Sequence, residues 1–78
     1  MTHRSRLSVD LKATGSRIRE LRGEMLQAEL AAFLGISQGQ LSKIERGNLG
    51  PTAEMLIRLS DKFGKSADWI LTGRVARD

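Results

Sequence analysis

The chain has 78 residues, enough for one small domain with a single core. It holds no cysteine, and its one histidine, His3, sits in a polar tail, so disulfides, cysteine zinc sites and histidine-based triads or metal clusters are excluded. The net charge of +4 is confined to the first third: residues 1–23 carry six basic and two acidic side chains, residues 24–78 seven of each.

A basic amino-terminal third suits a protein that approaches a phosphate backbone, although a merely solvated basic surface has the same composition. No apolar run approaches the ~18 residues of a membrane span, and the start MTHRSR lacks the apolar stretch of a signal peptide. The expected compartment is therefore the cytoplasm, with no membrane, metal or cofactor implied.

The apolar spacing is helical nearly throughout, and nothing alternates with the period of a strand. Residues 1–7 read as a basic arm, with Arg4 and Arg6 available to DNA; a solvated tail is the alternative. Residues 8–73 form the domain and 74–78 a tail. A first helix begins at Ser8, or near Thr14 because Gly15 weakens it by ~1 kcal/mol, with an inner stripe of Leu11, Ile18 and Leu21. Gly23 ends it. A second helix covers Leu26 to Leu34, closed by Gly35.

Ser37 and Gln40 then read as a capping box that starts a third helix running to Arg46 and stopping at Gly47. Asn48 to Pro51 is a loop. Thr52 caps a fourth helix with the stripe Leu56, Leu59 and Phe63, ended by Gly64. Ser66 caps a short fifth helix through Leu71, with Asp68 near its positive end and Gly73 after it. Five helices on short turns predict a compact all-α domain.

Its centre, Gln27 to Ile44, has the pattern of a helix-turn-helix. Leu30, Ala31, Leu34, Ile36, Leu41 and Ile44 are apolar where two short helices must touch, and Gly35 marks the turn between them. At ~100° per residue, Gln38, Gly39, Ser42, Lys43 and Arg46 share one arc of the third helix, opposite Leu41 and Ile44. Such a face can enter the major groove: glutamine suits adenine, lysine suits guanine or a phosphate, and serine is permissive. Gly39 either lets the helix backbone approach a base or is merely tolerated.

Gln40 belongs first to the cap, with a phosphate contact second. Gln27, at the start of the second helix, and Asn48, after the third, are placed to bind phosphate, as is Arg46. Their plainer alternatives are an exposed helix start and ordinary turn chemistry.

From Gly15 to Gly73 the chain resembles the phage-repressor helix-turn-helix family (Cro/CI-like, Xre-type). The residues that carry the resemblance are Gln27, Leu30-Ala31, Leu34-Gly35-Ile36, Ser37-Gln38, Leu41, Ile44-Glu45-Arg46-Gly47, Pro51 and the closing Asp68-Trp69-Ile70-Leu71-Thr72-Gly73. The resemblance implies a lambda-repressor-like five-helix fold that binds pseudo-palindromic operators as a dimer. It also implies base reading by Gln38, Gly39, Ser42 and Lys43, and backbone contacts from Gln27 and Asn48. By the same resemblance Arg22 is the arginine that pairs with Glu45 and so orients the third helix. Two departures stand out. The connection Gly23 to Leu26 is short for the family, and Leu26 replaces the usual hydroxyl cap before Gln27.

Trp69 is expected to pack against the first and fourth helices; alternatively Trp69, Ile70 and Leu71 form part of a dimer contact, since one small module seldom binds tightly alone. The expected function is a sequence-specific, double-stranded DNA-binding regulator, a repressor acting as a homodimer. An antitoxin-like module that neutralises a protein partner is the alternative, because a fold does not fix function. Attachment of the first helix to a membrane surface is disfavoured by its narrow apolar face. No catalytic constellation is present, so no enzyme is expected.

Overall fold

The computed structural model describes residues 9–75, so the arm with Arg4 and Arg6 and the last three residues lie outside the described residues. Five α-helices follow in order: α1 Leu11–Arg22, α2 Gln27–Leu34, α3 Gln38–Glu45, α4 Ala53–Phe63 and α5 Ala67–Thr72. Among the described residues there is no strand, no helix long and apolar enough to cross a membrane, and no cluster of metal-ligating side chains.

Local chemistry accounts for most of the boundaries. The Ser37 hydroxyl accepts from the Gln40 N–H at 3.1 Å while the Gln40 amide oxygen accepts from the Ser37 N–H at 3.0 Å, so the expected box opens α3. Thr52 accepts from the Met55 N–H at 3.2 Å, and Ser66 from the Trp69 N–H at 3.0 Å, opening α4 and α5. Gly35 closes α2 in the left-handed conformation, at φ 74°. Three ends shift by one residue: α2 starts at Gln27 with Leu26 in the cap position, α3 stops at Glu45 with Arg46 as its cap, and α5 runs on to Thr72.

The first helix differs from expectation. It starts at neither Ser8 nor Thr14 but at Leu11, where the Asp10 carboxylate accepts from the Lys12 and Ala13 N–H groups, both at 3.1 Å. Its buried line is Thr14, Gly15 and Ile18, whereas Leu11 is on the surface and Leu21 is half-buried. The cause is α3, which lies across the middle of α1. A Cβ on Gly15 would stand 2.5 Å from the Glu45 carbonyl oxygen and closer still to that of Ile44. Gly15 is therefore the residue that lets the two backbones meet, and not a tolerated weakness.

The core draws on every helix. Ile18, Leu30, Leu41, Ile44, Leu59 and Ile70 have almost no exposed surface, and Ala31, Leu34 and Met55 complete the cluster. Each fully buried aliphatic chain of this size contributes about 1.5–3 kcal/mol of transfer free energy. On α4 the most buried positions are Met55 and Leu59; Leu56 and Phe63 of the expected stripe flank them, half-buried. α1 packs on α3 and α5, α2 on α3 and α4, and α4 on α5. The helix-turn-helix pair α2–α3 is thus backed on one side by α1 and on the other by α4.

Candidate nucleic-acid interface

Burial divides α3 into two faces. Leu41 and Ile44 are in the core, while Gln38, Gly39, Gln40, Lys43 and Arg46 are exposed and Ser42 is half-buried. The outward arc carries two cations. Its acid, Glu45, is turned inward with its side chain only 4% exposed. What α3 presents to solvent is therefore polar and basic, and its first turn is exposed.

Glu45 is the hub that fixes this presentation. Arg22, at the end of α1, donates from Nε to Glu45 Oε2 at 2.7 Å and from a terminal nitrogen to Oε1 at 3.1 Å, a two-pronged pairing. The same guanidinium donates to the Met25 carbonyl at 2.8 Å and so holds the short turn between α1 and α2. Gln27 donates from Nε2 to Glu45 Oε1 at 2.9 Å, which ties the start of α2 to the end of α3. Gln38 then donates from Nε2 to Gln27 Oε1 at 3.4 Å.

The direction of that chain follows from chemistry. A carboxylate only accepts, so Gln27 must turn its amide nitrogen to Glu45 and its oxygen toward Gln38. The hydrogen bond to Glu45 also pushes the Arg22 guanidinium above its ordinary pKa, against a smaller opposing effect of burial. A raised arginine pKa means that the stability from this pair is complete below the ordinary arginine value and is lost only as pH rises through the shifted one. The pair is therefore insensitive to pH across the neutral range.

The structure brings Gln27, Gln38, Arg22 and Glu45 together. The Gln40 side chain is engaged in the cap, and Asn48 is exposed while its backbone N–H donates to the Lys43 carbonyl at 2.8 Å. A Cβ added at Gly39 would meet only the Ser37 hydroxyl, at 3.9 Å, so nothing in the free protein requires glycine there. At the start of α2, Leu26 supplies no capping oxygen, as its identity implies, but Glu29 reaches back to accept from the Leu26 N–H at 3.0 Å.

The expected dimer contact needs correction at one residue. Ile70 is 0% exposed and lies in the core, so it offers no surface to a second copy. Trp69 and Leu71 are half-buried; the Trp69 ring packs on the core edge and carries the Lys65 ammonium 5.0 Å from its centroid. Two features escaped the sequence. One is the crossing at Gly15, signalled only by a glycine inside a helix. The other is the closeness of Lys12 to Gly47, which no local pattern marks.

Comparison with known proteins agrees with this geometry. The helix-turn-helix family profile matches residues 17–70. Among solved structures, the P22 c2 repressor in complex with synthetic operator 9T is 35% identical, with a TM-score of 0.71 over 78% of this chain and 96% of that one. The restriction-modification controller protein C.AhdI from Aeromonas hydrophila is 25% identical, with a TM-score of 0.67 over 78% and 96%. The clp gene regulator ClgR from Corynebacterium glutamicum is 29% identical, with a TM-score of 0.69 over 82% and 70%. No curated protein sequence matches the chain. A profile spanning most of the domain and a repressor above 30% identity, on the same five-helix arrangement, place this chain in the helix-turn-helix family, among its phage-repressor-like (Cro/CI-like, Xre-type) members.

Proposed function

We propose that this chain is a sequence-specific regulator of transcription in the cytoplasm, a repressor that binds an inverted-repeat operator in double-stranded DNA as a homodimer. One observation carries the proposal: the exposed polar arc of α3, positioned by the Arg22–Glu45–Gln27 hub while its opposite edge is buried. Gln38, Gly39, Ser42 and Lys43 read bases; Gln27, Gln40, Arg46 and Asn48 hold phosphates, with the arm arginines Arg4 and Arg6 adding charge. The similarity to a repressor solved on its operator supports this assignment. Dimerisation follows from size, since one module of this kind seldom reaches specific affinity alone and two-fold symmetry matches an inverted repeat.

Selection of bound sites from random DNA tests the proposal and reports motif and half-site spacing together. Two half-sites about 10 base pairs apart, centre to centre, are expected. On the selected site, Gln38→Ala and Lys43→Ala each weaken binding by about 1–3 kcal/mol, with melting unchanged because both side chains are exposed. Undiminished affinity in both variants would overturn the base-reading assignment. A single unpaired motif would overturn the dimer.

A further inference from the structure

The geometry points to Lys12 as a further contact to the DNA backbone, at the turn that follows α3; this rests on the reading of the chain as a DNA-binding regulator. Lys12 lies in the first turn of α1, where the positive end of the helix disfavours a cation. The Asp10 carboxylate oxygen beside it is occupied by the Lys12 and Ala13 backbone N–H groups. Among the described residues Lys12 is in no ion pair, and its side chain is exposed.

Its position is defined by Gly47. A Cβ at Gly47 would stand 2.7 Å from Lys12 Cα and 2.8 Å from its Cγ, so the lysine stem runs directly over the turn that follows α3. Gly47 has φ 83°, and its missing side chain leaves that space to Lys12. That turn has no need of a lysine as a cap. The Gly47 N–H donates to the Ile44 carbonyl at 3.0 Å and the Asn48 N–H to that of Lys43 at 2.8 Å. The stem thus crosses the turn between Arg46 and Asn48, the two residues assigned above to phosphates, and among the described residues no ion pair holds its ammonium.

Gln27 bonds to both Gln38 and Glu45, the first and last residues of α3, and Lys12 lies over the turn just beyond Glu45. When α3 occupies the groove, the turn after it faces a flanking phosphate with Arg46 and Asn48, and Lys12 adds its charge there.

The test is the salt dependence of binding to the selected operator. Lys12→Gln lowers the slope of log K against log salt by about 0.9 for each bound copy. It weakens binding to every sequence alike, with base preference and melting temperature unchanged, while Lys12→Arg keeps the parent slope. Lys65→Gln removes the same net charge from beside Trp69 and leaves the slope as it was. A parent slope in Lys12→Gln overturns the assignment, whether or not melting falls, as does an equal loss of slope in Lys65→Gln. A parent chain without salt-dependent DNA binding overturns the functional reading and this assignment with it.

Discussion

Gly15 shows how the meaning of one residue changes between sequence and structure. By helix propensity alone, Gly15→Ala stabilises the domain by ~1 kcal/mol. In the fold, the added methyl is driven against the carbonyl oxygens of Ile44 and Glu45, which are backbone atoms that cannot swing away. α1 and α3 must then separate, and overpacking of this kind costs about 1–3 kcal/mol. Urea denaturation of Gly15→Ala is expected to show a net loss of stability in that range, and a gain would mean that the helices do not cross here. The glycine was visible in the sequence, but its reason was not, because the atoms it accommodates belong to a helix far along the chain. Arg22–Glu45 was visible only through the family resemblance. That Gln27 joins them depends on how α2 tilts, which no spacing reveals.

At the scale of elements, legibility tracked how local each signal was. The starts of α3, α4 and α5 were readable because Ser37, Thr52 and Ser66 cap within their own first turns. The start of α1 was misread. Asp10 caps it, while Thr14 lies inside the helix with its hydroxyl on the Leu71 carbonyl of α5, a partner far along the chain. Its stripe was misread for the same reason: a rule that counts apolar residues misses a buried Thr14 and Gly15. The weak point that was read correctly is the start of α2. Leu26 is 65% exposed and caps nothing, although Glu29 already supplies the reverse half of a capping box. Leu26→Ser completes the box with little loss of burial and is expected to add about 1 kcal/mol. For a domain of this size that raises the melting temperature by about 4–8 °C in a thermal scan followed by circular dichroism. An unchanged melting temperature would mean that the first N–H groups of α2 are already satisfied.

At the scale of the whole molecule, the shortest helix closes the fold that holds α3 in place. α5 has six residues, too few to persist alone, and its stability comes from docking. Ile70 fills the core, while α1 grips the last carbonyls of α5: Thr14 donates its hydroxyl to the Leu71 carbonyl and Arg17 its Nε to that of Ile70, both at 3.3 Å. The same helix, α1, presents Gly15 to α3 and Arg22 to Glu45, so α5 and α3 are braced through one element. Ile70→Ala opens a cavity in that arrangement and is expected to cost about 2–5 kcal/mol, a large fraction of the ~5–15 kcal/mol that a domain holds in total. The melting temperature should fall by the same amount at every protein concentration, since the lost contact lies within one chain. A dimer-contact role predicts the opposite pattern, with melting nearly unchanged and weakened association that higher concentration restores. Well below its melting temperature the Ile70→Ala domain should still bind the operator like the parent, because the face of α3 is intact whenever the chain is folded. Loss of binding under those conditions would show that α5 acts on DNA recognition by some route other than holding the fold together.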